Sequence, residues 1–138
     1  MGTFSPELLD AYKRTKFIVD QPDGEIIIRH GRRNHDIDKM LSKHAVRSGT
    51  FITAHNPHPQ RLSDDENHNR HLSLIADIEK QGFPYFTGRG IGADNWPAEE
   101  SLFVLGMNRD PASMLGRKYG QLAIVWVETG RAAEVVLC

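Results

Sequence analysis

The sequence holds one cysteine, Cys138, in 138 residues, so no disulfide can form within the chain and nothing in it calls for an oxidising compartment. Net charge is nearly absent as well. Seventeen Lys and Arg against 18 Asp and Glu give a formal value of -1, which leaves no global attraction for nucleic acid or an acidic membrane. No apolar run approaches the length of a bilayer span, and residues 1–20 contain no apolar core of a signal peptide. Met1-Gly2 opens like a myristoylation site, but Pro6 stands where that motif needs Ser or Thr. There is no internal repeat, low-complexity tract or linker. Also missing are a Gly-x-Ser-x-Gly elbow, a His-Glu-x-x-His pair, the P-loop lysine and the six-residue glycine spacing of dinucleotide sites, so the familiar hydrolase mechanisms find no support. The expectation is one globular domain over residues 1–138, cytoplasmic, with no membrane partner and no general nucleic-acid partner.

What is present is ordinary globular material, 39% hydrophobic and 25% charged. Ser5-Pro6-Glu7 supplies a cap, a first-turn proline and an acid for a short helix bearing Leu8, Leu9 and Tyr12. Residues 16–20 and 25–30 read as a hairpin about Gln21-Pro22-Asp23-Gly24. Ile37, Met40, Leu41, His44 and Ala45 share a helical face before a buried strand over 50–53. Asn56-Pro57-His58-Pro59-Gln60 can continue neither element, because each proline removes a donor and restrains its predecessor. Ser63-Asp64-Asp65-Glu66 has the form of a capping box for a helix to Gln81. A short strand at 84–87, a bend at Gly88-Arg89-Gly90-Ile91-Gly92, a buried strand at 101–105, a helix from Asp110 to Gly120 and a hairpin about Glu128-Thr129-Gly130 complete the order. This predicts an α+β domain with helices packed on a mixed or mainly antiparallel sheet.

Polar residues stand at the ends of these apolar elements, where burying them unpartnered would cost a few kcal/mol each. Thr53 and Asn56 end one strand, and Asn67 shares the face of His71, Leu74 and Ile78 near a helix N-terminus, with Arg70 beside it. The bland account of Asn67 and His71 is a hydrogen-bonded amide and a buried imidazole serving neighbouring backbone. Arg89 between glycines offers charge to a phosphate, although such glycines more often make a bend. Glu99 or Glu100 must lie inside a site or at the sheet surface, and a desolvated Glu99 would suit a general base. Among seven histidines, His55 with His58 and His68 with His71 are three apart. No cysteine or carboxylate completes a zinc motif there, so no metal and no cofactor is expected.

The ordered set Phe51-Ile52-Thr53-Ala54-His55-Asn56-Pro57, Glu66-Asn67, Gly88-Arg89-Gly90, Trp96-Pro97-Ala98-Glu99-Glu100-Ser101 and Gly116 to Val125 resembles an uncharacterised bacterial family, domain of unknown function 3293. The likeness runs from about residue 10 to the end. The family's first motif carries tryptophan where this chain has His55. Matching positions are Thr53, Asn56, Asn67, Glu99, Ser101 and Gln121. The resemblance implies a small bacterial cytoplasmic domain and carries no activity with it.

Three functions fit these residues. The first is binding of a small polar or anionic ligand, such as a nucleotide, by Thr53, Asn56, Asn67, Arg70, Arg89, Ser101 and Gln121, with Trp96 stacking on a ring. The second is a hydrolase or transferase with Glu99 as catalytic base. The third is a protein or nucleic-acid interaction module using Arg29, Arg32 and Arg33, although such a cluster is usually just solvated. Oligomeric state is left open.

Overall fold

In the computed structural model, residues 5–58, 60–93 and 96–138 are described. Met1-Gly2 and Pro59 lie outside them. The first helix, α1 (Pro6–Lys13), starts where the Ser5 hydroxyl accepts from the Leu8 amide, and Pro6 needs no partner for a missing N–H. A hairpin follows, β1 (Lys16–Gln21) and β2 (Gly24–Ile28), turning at Pro22-Asp23. Helix α2 (His35–Lys43) is capped by Asn34, whose Oδ1 accepts from the Asp36 and Ile37 amides. Strand β3 (Ser48–Thr53) leads through the proline-broken loop to α3 (Asp64–Gln81). Ser63 and Glu66 close the capping box there, each holding the other's free amide. Then come β4 (Tyr85–Ile91), β5 (Glu99–Leu105), α4 (Arg109–Lys118), β6 (Ala123–Glu128) and β7 (Glu134–Leu137).

The seven strands form one sheet in the order β2-β1-β4-β5-β3-β6-β7, and every pairing is antiparallel. This is the α+β architecture expected. Because side chains alternate along a strand, the two faces take different partners. Phe51, Phe103, Leu105 and Val125 meet Ile37, Met40 and Leu41 of α2 on one side. Ile52, Leu102, Val104 and Ile124 meet Leu74 and Ile78 of α3 and Ala112 and Leu115 of α4 on the other. Each of these side chains larger than Ala112, removed from water, contributes about 1.5–3 kcal/mol. Among the described residues no helix is long and apolar enough to cross a membrane.

One element differs in kind from its sequence reading. The expected bend at Gly88-Arg89-Gly90 is instead the continuation of β4, paired with β1 on one side and β5 on the other. Gly88 is there for proximity: a Cβ on it would lie 2.1 Å from the Ile18 carbonyl oxygen and 3.2 Å from the Phe51 ring. A glycine that reads as a strand breaker is here the condition for close strand packing. Strand β5 also starts two residues early, which brings both Glu99 and Glu100 into the ladder.

Candidate functional site

Past the end of β3 the chain turns sharply, with Asn56 at φ 47° and His58 at φ 54°, in the left-handed region that asparagine tolerates better than most residues. The backbone of this turn is held from several directions. Thr53 Oγ1 accepts from the His55 amide at 3.1 Å and donates to the Glu100 carbonyl at 2.7 Å. Arg70 Nε donates to the Ala54 carbonyl at 2.6 Å, and its Nη2 to that of Tyr119. Gln121 Nε2 donates to the His55 carbonyl at 2.9 Å, and the His58 amide to the Gly120 carbonyl at 2.9 Å. Asn67 and Asn56 make a reciprocal pair, each bond 2.8 Å: the Asn56 amide donates to Asn67 Oδ1 and Asn67 Nδ2 donates to Asn56 Oδ1. So braced, the turn presents one side chain with little freedom. Asn56 Nδ2 donates to Glu99 Oε2 at 2.6 Å, and the Trp96 indole donates to the same oxygen at 3.1 Å.

Glu99 lies in the wall of a cavity of about 660 Å³. Helix α1 covers it with Leu8, Ala11 and Tyr12. The sheet supplies Phe17, Phe51, Val125 and Val135 as apolar walls, and Thr53, Asn56, Glu99, Ser101 and Gln121 gather at the polar end. Lys and Arg are absent from the described lining. Both hydrogen bonds to Glu99 fall on Oε2; among the described residues Oε1 accepts none. The hydroxyls nearby are committed to backbone, Thr53 as above and Ser101 to the Glu99 carbonyl at 2.9 Å. Burial, and then the charge of Glu99, push the Tyr12 phenol up to about 12, so it faces the cavity as a neutral group.

Behind this wall, one residue along β5, Glu100 points to the opposite face, as the strand's alternation requires. Three imidazoles converge on it. His55 Nε2 lies 3.3 Å from Oε1, His68 Nδ1 lies 3.1 and 3.2 Å from the two oxygens, and His71 Nε2 lies 3.8 Å from Oε2. Burial alone would raise the Glu100 carboxyl, but the three imidazoles together hold it below the ordinary range. His71 is pushed down, chiefly by burial and further by His55 and His68, against the pull of Glu100. Its Nδ1 is buried without a partner among the described residues. Among the described residues no group of three or more His, Cys, Asp and Glu is arranged to hold a metal ion.

The residues singled out by sequence thus fall into two sets. Thr53, Asn56, Trp96, Glu99, Ser101 and Gln121 line the cavity. Asn67 and Arg70 stand outside the lining and brace the turn. Arg89 is elsewhere: it shares the back face with Glu100, and its guanidinium pairs with Asp20 at 3.2 Å and Glu25 at 2.5 Å. Arg33 of the arginine cluster is paired with Asp38 at 3.3 Å. Sequence reasoning missed Tyr12, a residue of a helix read only as packing, and missed the meeting of His55 with His68 and His71. Spacing had joined His55 to His58, which is exposed and outside the cluster.

The profile of a family described as protein of unknown function (DUF3293) matches residues 52–124, more than half of the chain. The match begins on β3 and ends on β6, so it spans the turn, Asn67, both glutamates and Gln121. No curated protein and no solved structure matches the chain.

Proposed function

The chain belongs to the DUF3293 family of proteins of unknown function, and within that frame we propose that it binds a small, largely apolar molecule carrying a cationic or hydrogen-bond-donating head, anchored on Glu99. The observation that supports this reading is the carboxylate itself: held by Asn56 and Trp96 through Oε2, with Oε1 unengaged among the described residues, at the polar end of an apolar cavity. A cavity of about 660 Å³ suits a drug-sized molecule. An anionic head such as a phosphate fits less well. At about 4 Å from Glu99 it would be opposed by about 4 kcal/mol at an effective dielectric near 20, and neither Arg70 nor Arg89 lines the cavity to offset that. An ammonium or amide donor reverses the sign.

The test is a matched panel of arylalkyl amines, alcohols and carboxylates in thermal-shift and calorimetric titrations. Amines should bind best and carboxylates not at all, and a ligand at about 100 times its Kd should stabilise the fold by about 2.7 kcal/mol. Glu99→Gln should weaken amine binding about tenfold or more, since it removes a charged hydrogen bond. Equal binding of amine and carboxylate would sink the proposal. A hydrolase or transferase reading, with Glu99 as base, draws on the same unengaged oxygen. It would be favoured if Glu99→Gln kept ligand affinity and lost turnover.

A further inference from the structure

We infer that the imidazole cluster behind β5 is a proton-operated control on the cavity, in which charging His55, His68 and His71 against the single Glu100 carboxylate loosens the hold on a cationic ligand at Glu99. The inference rests on the proposed binding mode. Its basis is a mismatch in number, three imidazoles to one carboxylate, together with the position of His55 in both the cluster and the cavity wall.

The three imidazoles differ in exposure. His68, with 56% of its side chain exposed, reaches both Glu100 oxygens from the solvent side. A proton there matches the carboxylate's charge. A proton on His55, whose side chain is 9% exposed, adds a second positive charge at the back of the cavity. The charged groups around it are Glu100 from β5, with Glu99 of the same strand in the shared cavity wall, His68 and His71 from α3, and the Arg70 guanidinium on the neighbouring Ala54 carbonyl. Arg89, the cross-strand partner of Glu100 on β4, is turned to Asp20 and Glu25. His71 is held below its ordinary value, chiefly by burial, and among the described residues its Nδ1 has no partner.

The charge reaches the ligand by two routes. His55 lines the cavity, so its proton acts directly on a cation there, through an interior that screens less than water. It also precedes Asn56 in the chain, and its amide hangs on Thr53 Oγ1, the atom bonded to the Glu100 carbonyl. Any shift of His55 away from its cationic neighbours moves the residue whose amide fixes Glu99 at 2.6 Å. Both routes weaken binding as pH falls through the imidazole range.

The experiment uses the full chain and phenethylammonium as the probe, titrated calorimetrically at about pH 7.5 and about pH 5.5. Wild type should lose about tenfold or more in affinity between the two, and His55→Gln should lose less than about threefold, whatever its absolute affinity. A wild-type change below about threefold, or an undiminished change in His55→Gln, overturns the control. Should phenethylammonium bind at neither pH, the proposed binding mode fails separately. The Trp96 indole N–H resonance, which reports on the bond to Glu99, then decides: a shift across the imidazole range in wild type that is absent in His55→Gln sustains the linkage, and a flat profile overturns it.

Discussion

Replacing Asn67 with alanine should remove the brace on the Asn56 turn, and the size of the effect follows from what is left behind. Two bonds of 2.8 Å disappear, along with a marginal third to the Leu62 carbonyl at 3.4 Å. Asn56 Oδ1 keeps the Leu62 amide as a donor at 2.9 Å, so its loss is small. Among the described residues the Asn56 backbone amide keeps no acceptor. It belongs to a residue 7% exposed and facing one 5% exposed, so water reaches it poorly. An orphaned buried donor costs about 1–3 kcal/mol, and the second lost bond about 1 more, giving roughly 2–4 kcal/mol in all. At about 4 °C per kcal/mol for a domain near this size, the melting temperature should fall by roughly 8–16 °C. Urea denaturation should show a lower midpoint at an unchanged slope. Asn67→Asp sharpens the test, since it keeps an acceptor for the Asn56 amide but turns an oxygen towards Asn56 Oδ1; it should recover only part of the loss. A cost below about 1 kcal/mol for Asn67→Ala would mean that the turn holds its shape without α3, and the account of the brace would be wrong.

Gly120→Ala should be as harmful from the other side of the turn. Gly120 sits at φ +71° and an added Cβ would lie 2.6 Å from the rigid Pro57 ring, so a loss of at least about 2 kcal/mol is expected in chemical denaturation. Stability should also decline with acid in two stages. His71 has a folded value below its ordinary 6.5, so its contribution is complete above that pH and is lost as pH falls towards the depressed value. Glu100, depressed from 4.5, contributes above that pH and is lost lower still. His71→Leu should flatten the upper stage in urea titrations run at several pH values; an unchanged profile would show that His71 takes up its proton freely in the fold.

The frame of the fold could be read directly from residues because its signals are local. Ser63 and Glu66 announce α3 by chemistry that spans four residues, and Pro22-Asp23 announces the hairpin in two. What escaped reading depends on contacts across the chain. Gly88 reads as a breaker until Ile18 and Phe51 are known to crowd it. Arg89 reads as a phosphate ligand until β4 is extended past it, after which strand parity sends it to the back face. The same holds for the histidines, since His55 meets His68 and His71 only once α3 docks on the turn and β5 brings Glu100 beside both. Polar residues at element ends did not reveal the division of labour in which Asn56 and Glu99 face the cavity while Asn67 and Arg70 stand behind the turn.

The alternation of Glu99 and Glu100 has a consequence for how this chain can change over time. Neighbouring codons specify two acids that serve opposite sides of one sheet, and the assignment is kept by the register of β5 against β3 and β4, down to Thr53 with Ser101 and Gly90 with Glu99. Deleting a single residue at the start of β5 would carry an acid from one compartment into the other while leaving the local composition almost unchanged. A gap between Glu99 and Ser101 would therefore leave the back face with its acid and take the acid from the cavity face, where Asn56 and the Trp96 indole hold it.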